Sequence, residues 1–442
     1  MGAAVVVVDD VVNRCQPTGP GAREALPALP CERMFRPVSP PHPHPPTHLA
    51  TADGRRSRAL HVVLDEDEVA GVVDGKEDGG RRALRPVDNP PNPFASAEAH
   101  YLEGMDPGVR VVVQHDHTRQ ILSKNSSPDI GFDFSVNPYR GCQHACAYCY
   151  ARPTHEYLSL GAGTDFDTRI VVKPDAPALL REAFDKRSWR GDTVVFSGVT
   201  DCYQPLEASY RLTRGCLEVC AAYQNPVGII TKSPLIERDL DVLLELQRVA
   251  RVGVSISIPF IDDTKARAIE PGVATPARRL RIIETLSKAG LRVGVMTAPI
   301  IPGLNDEDMP KILEAARDAG AVSAGWVMLR LPGNVAGVFE HRLRAAFPLR
   351  ADKIMSRVVD TRGGDALYDG RFGTRQTGQG ATAAAIGALF QSVTKRLGLN
   401  THHEPADNVV EGQERAHDGT LWRDTPSTFR RPEPPRRQMT LF

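Results

Sequence analysis

Three cysteines stand close together in the segment Asn137-Pro138-Tyr139-Arg140-Gly141-Cys142-Gln143-His144-Ala145-Cys146-Ala147-Tyr148-Cys149-Tyr150. Their spacing is C-x3-C-x2-C. Three thiolates on one short loop can wrap a single metal cluster. A [4Fe–4S] cube normally takes four cysteines. With three, one iron has no protein ligand and can bind a small chelating molecule. Structural zinc wants four ligands, and His144 could supply the fourth. His144 lies between two of the cysteines, however, where a finger-like geometry is awkward. A redox disulfide would need only two thiols.

The chain holds eight cysteines in 442 residues. That is too sparse for a disulfide scaffold, and a tight thiol cluster fits a reducing interior. Cys15 and Cys31 lie in an irregular N-terminal region. Cys202, Cys216 and Cys220 follow the cluster. Cys216 and Cys220 share one helix face at i, i+4, as packing residues do. The formal net charge is zero, so composition predicts no global attraction to nucleic acid or membrane. No apolar run reaches the roughly 18 residues of a membrane span. The short apolar stretch after Met1 is cut by Asp9 and Asp10, with no basic segment before it, so no signal peptide is expected. The expected location is the cytoplasm.

The elements that must position the thiols are strands alternating with helices. Strands are expected at Gly108 to Val113, Ile170 to Val172, Thr193 to Ser197, Val227 to Thr231, Val252 to Ile258, Leu291 to Ala298 and Gly325 to Leu329. Helices are expected at Ala178 to Phe184, Arg214 to Tyr223, Leu235 to Leu246, Pro276 to Ala289 and Met309 to Ala319. Gly290 and Gly320 stop the last two. This alternation implies parallel β/α units, about six of them after the cysteines. A barrel or partial barrel would place its chemistry at the C-terminal ends of the strands. A doubly wound sheet has the same periodicity. Residues 1–85, with the proline and histidine tract Pro37 to Pro46, read as disordered or as an upstream extension of the true gene. Residues 86–134 lead into the barrel at 135–331. A helical extension over 332–400 includes a helix at Ala381 to Leu397. Residues 401–442 read as a flexible tail.

Several polar residues fall at strand ends. Thr200 and Asp201 follow a buried strand and could receive an ammonium or hydroxyls, although both types are also ordinary helix caps. Lys232 ends another apolar strand. Ser255 and Ser257 face one side of the next strand. Pro299-Ile300-Ile301-Pro302-Gly303 follows a further strand, and Glu270-Pro271 could close the site. Arg278, Arg279 and Arg281 sit on one helix, and Arg371 and Arg375 flank glycines. Either group could meet phosphate, with solvated faces as the plainer reading.

C-x3-C-x-aromatic-C, with Tyr148 before the last cysteine, resembles the signature of the radical S-adenosylmethionine (SAM) superfamily. The resemblance covers roughly Ser135 to Leu331. It implies an α/β fold, a partial (β/α)6 TIM-type barrel. It implies that Cys142, Cys146 and Cys149 hold a [4Fe–4S] cluster and that SAM chelates the open iron. An external electron donor would drive reductive cleavage to a 5′-deoxyadenosyl radical. The wider pattern is similar to the spore photoproduct lyase group, whose substrate is DNA. That likeness implies SAM contacts from Thr200, Asp201 and Lys232, with Tyr148, Ser197, Gly198, Ser255, Ser257 and Ile300 lining the cofactor pocket. The lyase carries a hydrogen-donating cysteine where Ser197 and Gly198 stand here. Cys202 could be a substitute donor or a small buried residue. This departure puts the exact lyase reaction in doubt.

The C-terminal Gln438-Met439-Thr440-Leu441-Phe442 resembles the motif by which repair proteins bind the bacterial sliding clamp. Gln438 would bond the pocket rim while Leu441 and Phe442 fill it. A radical SAM enzyme acting on DNA in repair is the leading expectation. The alternatives are a radical SAM enzyme acting on RNA or protein, and a zinc or iron–sulfur protein without SAM chemistry.

Overall fold

The computed structural model describes residues 111–401 and 427–433. The expectations for residues 1–85, for Cys15 and Cys31, and for Gln438, Leu441 and Phe442 lie outside the described residues.

Ten strands are described: β1 Val112–His115, β2 Leu122–Lys124, β3 Phe134–Val136, β4 Tyr139–Arg140 and β5 Arg169–Val172, then β6 Val194–Phe196, β7 Val227–Thr231, β8 Val252–Ser257, β9 Val293–Ile300 and β10 Ser323–Met328. The main sheet has the order β10-β9-β8-β7-β6-β3-β2. Its strands from β3 to β10 are all parallel, and β2 runs antiparallel at the edge. Six parallel strands advancing in one direction are the order of a partial barrel. A doubly wound sheet would reverse direction at a switch point, and this sheet does not.

The expected count of units after the cysteines needs correction. Ile170 to Val172 does not belong to the barrel. β5 pairs instead with β1 and β4 in a separate three-stranded sheet. The first barrel strand is β3, which precedes the cysteines, and five barrel strands follow them.

Helices cover the sheet because each presents one apolar stripe. Leu217, Leu243, Leu246, Ile282, Ile283, Ile312 and Leu313 pack onto Val194, Phe196, Ile229, Val254, Ile256, Val293 and Val295. Each fully buried Leu or Ile side chain contributes about 1.5–3 kcal/mol, so this contact dominates the fold. Local signals set the helix ends. Thr275 caps helix Pro276–Lys288 by accepting from the Arg278 amide at 3.3 Å, and Pro276 opens it. The expected helix at Leu235 begins differently. Pro234–Asp239 is a 3-10 turn capped by Ser233, and the α-helix runs over Leu240–Val249. Among the described residues, no helix is long and apolar enough to cross a membrane.

The C-terminal extension contains helices Val335–Ala346, Ala351–Asp360 and Gly380–Leu397. Residues 427–433, expected within a flexible tail, pack back on the domain. Phe429 lies against Phe184 and Tyr223, with ring centroids 5.9 and 6.2 Å away. Arg431 donates to the carbonyls of Phe184 (3.0 Å) and Lys186 (2.7 Å). The Arg430 amide donates to Tyr223 (2.9 Å). These partners precede β6 and β7, at the end of the sheet opposite the cysteine loop. Phe429→Ala is expected to lower stability by about 1–2 kcal/mol, read as a lower thermal midpoint. An unchanged midpoint would show that the segment contributes nothing.

Candidate functional site

The cysteine loop follows β3 and β4 and is buried. Cys142 and Cys146 are 6% and 7% exposed, and Cys149 is half-buried. Cys146, Ala147 and Tyr148 pack in an apolar group with Phe260, Ile269, Ile301, Leu329 and Leu331. Such a loop has no ladder of its own, so its peptide groups need outside partners. The polar turn after β6 supplies several. Thr200 Oγ1 donates to the Gly141 carbonyl at 2.6 Å, and Gln204 Nε2 donates to it at 3.2 Å. Gln204 Oε1 accepts from the Gln143 amide at 3.2 Å. Arg152 is 1% exposed and donates through Nε and Nη2 to the Cys146 carbonyl at 3.1 and 2.9 Å. It also donates through Nη1 to the Ala162 and Gly163 carbonyls at 2.9 and 2.8 Å and pairs with the Asp167 carboxylate at 2.9 Å.

Gly141 is required where it stands. Its φ is +79°, and a Cβ there would lie 2.8 Å from His155 Cε1 and 2.9 Å from the Phe166 carbonyl oxygen. His155 is fully buried under this turn. Its Nε2 lies 2.8 Å from the Arg169 carbonyl, which fixes Nε2 as the donor, and Nδ1 has no hydrogen-bond partner.

Charges surround the loop. His144 Nδ1 lies 3.3 Å from Asp201 Oδ2. Burial works against the His144 charge, but Cys142 and Asp201 outweigh it and raise its pKa. Burial also opposes the charge on Asp201, yet His144 and the donors Thr231 Oγ1 (2.7 Å) and the Lys232 amide (2.9 Å) hold it below the usual carboxylate range. Lys232 Nζ sits 5.9 Å from the Tyr148 ring centre. Burial lowers its pKa, but Cys146, Glu270 and Asp201 together keep it above the ordinary lysine value. Burial pushes the Cys149 thiol up to about 11 and the Cys146 thiol well above its usual value.

The expected pocket residues fall into three groups. Cys142, Cys146, Cys149 and Tyr148 share the loop, and Lys232 reaches it at the Tyr148 ring; among the described residues no three His, Cys, Asp or Glu side chains are arranged to hold a metal ion as the loop stands. Thr200, Asp201 and Gly198 are committed to protein bonds. Gly198 donates to Asn137 Oδ1 at 2.7 Å and accepts from the Tyr150 hydroxyl at 2.8 Å. Ser197 has φ +80° and accepts from the Cys202 amide at 3.0 Å. Cys202 is fully buried in the main core, as are Cys216 and Cys220. Ser255 shares a layer of small residues with Gly294, where a Cβ would come within 3.3 Å of Ser255 Oγ and 2.5 Å of Ser323 Oγ. The Ser257 carbonyl accepts from Arg279 at 2.9 Å. Ile300 is fully buried.

The expected arginine groups divide between buried residues and exposed ones, Arg281 and Arg371 being exposed. Arg279 and Arg375 are fully buried, paired with Glu270 and Asp129, each at 2.7 Å. Arg278 pairs with Glu237, and Arg371 with Asp369 at 2.9 Å. The helix stripe that faces the sheet carries Arg279 inward. Sequence reasoning missed Asn137, Gln204, Arg152 and His155. All are buried polar residues within or near the cysteine segment or the turn after β6.

A singly wound parallel sheet carries three cysteines on a loop at the C-terminal ends of its strands, the end where barrel-type domains place their chemistry. Residues 136–316 match the model of the Radical SAM superfamily. The superfamily uses a [4Fe–4S] cluster and SAM. An uncharacterised protein of Mycobacterium tuberculosis is 42% identical over 219 residues, which is 49% of this chain and 64% of that protein. One of Methanocaldococcus jannaschii is 30% identical over 176 residues, 40% of this chain and 63% of that protein. The chain therefore spans just under two thirds of the length of these relatives. Among solved structures, spore photoproduct lyase complexed with dinucleoside spore photoproduct has a TM-score of 0.47 at 15% identity, covering 65% of this chain and 80% of that one. The radical SAM methyltransferase TsrM of Kitasatospora setae, with tryptophan and a SAM analogue bound, has a TM-score of 0.39 at 16% identity. It covers 66% of this chain and 56% of that one.

His155 yields a pH prediction. Burial lowers its pKa from 6.5 to about 4. The folded state thus prefers the neutral ring. Its contribution is complete above pH 6.5 and is lost as the pH falls toward 4. The thermal midpoint should fall less steeply across this window in His155→Gln than in the natural chain. Equal slopes would show that His155 titrates freely.

Proposed function

We propose that this chain is a radical SAM enzyme whose cluster is held by Cys142, Cys146 and Cys149, and that its substrate is DNA. The observation that carries the first part is the donor set. Three thiols share one buried loop, and the other described cysteines are sealed in the apolar core. A three-thiol set leaves one iron of a cube open. When bound, the cluster and SAM supply a 5′-deoxyadenosyl radical for hydrogen abstraction, given an electron from an external donor.

The chain's own residues bind and orient. Lys232 brings an ammonium beside Cys146 and Tyr148, fit for the carboxylate of SAM. Thr200 and Asp201 act one step back, holding the loop and the Lys232 backbone. The buried apolar group around Tyr148 keeps water from the loop. The DNA substrate rests on the likeness of the sequence pattern to the spore photoproduct lyase group. The tail QMTLF supports it through the proposed clamp contact of Gln438, Leu441 and Phe442.

The test is anaerobic turnover with reductant and SAM, with and without ultraviolet-irradiated DNA. 5′-Deoxyadenosine should form and fall to background in Cys146→Ala. Irradiated DNA should raise its yield or be altered. No product above the variant would overturn the enzyme assignment, and equal product with and without DNA would overturn the DNA substrate.

A further inference from the structure

The turn after β6 grips the cysteine loop at Gly141 to His144. A second turn, Ile269 to Gly272, grips it further along. The Ala147 amide donates to the Ile269 carbonyl at 2.9 Å, and the Gly272 amide donates to the His144 carbonyl at 3.1 Å. Between them the Tyr148 hydroxyl donates to one oxygen of Glu270. The other Glu270 oxygen accepts from Arg279 at 2.7 Å, and Arg279 is anchored on the Ser257 carbonyl at 2.9 Å. Both members of the Glu270–Arg279 pair are fully buried. Gly272 presses directly on the loop. A Cβ there would lie 2.3 Å from the Gln143 carbonyl oxygen and 3.0 Å from His144 Cα. Both are backbone atoms, so no side chain can swing aside.

A buried ion pair is weak evidence for stability, because apolar replacements often do as well. Here the pair has a directional consequence. Arg279 orients the carboxylate, and the carboxylate fixes the ring of Tyr148, which lies between Cys146 and Cys149 in the chain. We propose that Glu270, Arg279 and Gly272 are positioning residues for the cluster. They form a clamp that sets the register of Ala147 and Tyr148, and hence the spacing of the Cys146 and Cys149 thiols. The inference rests on these cysteines holding a cluster. It assigns to Glu270 a part in holding that cluster in place of contact with substrate.

Tyr148→Phe removes one hydroxyl and keeps the ring. The variant should fold, load iron, and then release it to a chelator about tenfold faster than the natural chain, as loss of an outer-shell partner does. The electron paramagnetic resonance signal of its reduced cluster should change in shape on SAM addition differently from the natural chain's. Gly272→Ala should load less iron while its far-ultraviolet circular dichroism is unchanged. Gly337→Ala, where a Cβ meets nothing within 4 Å, serves as the control and should match the natural chain. If Gly272→Ala fails to fold, Tyr148→Phe alone decides. Natural rates of iron release and an unaltered signal in Tyr148→Phe would overturn the clamp. Failure of the natural chain itself to bind iron would overturn the cluster assignment instead.

Discussion

A loop that must hold three thiols around one object cannot be a helix or a strand, and once buried it must find partners for every peptide group. An unpaired buried carbonyl or amide costs about 1–3 kcal/mol, so a loop of this length would not stay buried on apolar contacts alone. The residues around it answer that demand one group at a time. Thr200 and Gln204 take the Gly141 carbonyl, Arg152 takes that of Cys146, Phe166 accepts the Cys142 amide, and Ile269 accepts that of Ala147. None of these partners is adjacent in sequence to the group it satisfies. Thr200, Gln204 and Ile269 come from segments that follow barrel strands, and Arg152 and Phe166 from the short helices that follow the loop itself.

The same burial governs the charges. His144 with Asp201, Arg152 with Asp167 and Glu270 with Arg279 each place a cation against an anion within or beside the loop. Removing one partner would strand the other in a low-dielectric setting. Lys232 differs from these. Among the described residues it has no carboxylate within ion-pair distance, and burial works against its charge while Glu270 and Asp201 favour it.

The sequence made the framework legible where local rules decide. β7 falls where its apolar run ends at Thr231. The helix from Pro276 is marked by Thr275 before it and Gly290 after it. The cysteine spacing identified the loop outright. What could not be read was pairing over distance. β3 is three residues long and carries no period, and β5 looks like a barrel strand until its partners β1 and β4 are known. Thr200 and Asp201 were placed correctly at a strand end. The direction of their side chains depends on Gly141 and His144, about 60 residues earlier, and no local pattern encodes that. Arg279 appeared to be one of three surface arginines. Only its partner Glu270, in a turn nine residues before it, shows that it points inward.

The central claim is that three cysteines hold a four-iron cluster and leave one iron open to SAM. Mössbauer spectroscopy of the anaerobically iron-loaded protein, with and without SAM, tests it most directly. The account predicts a [4Fe–4S] spectrum in which one iron of the four becomes distinct when SAM is added. Four irons unchanged by SAM, or a protein that takes up zinc and no iron, would contradict it.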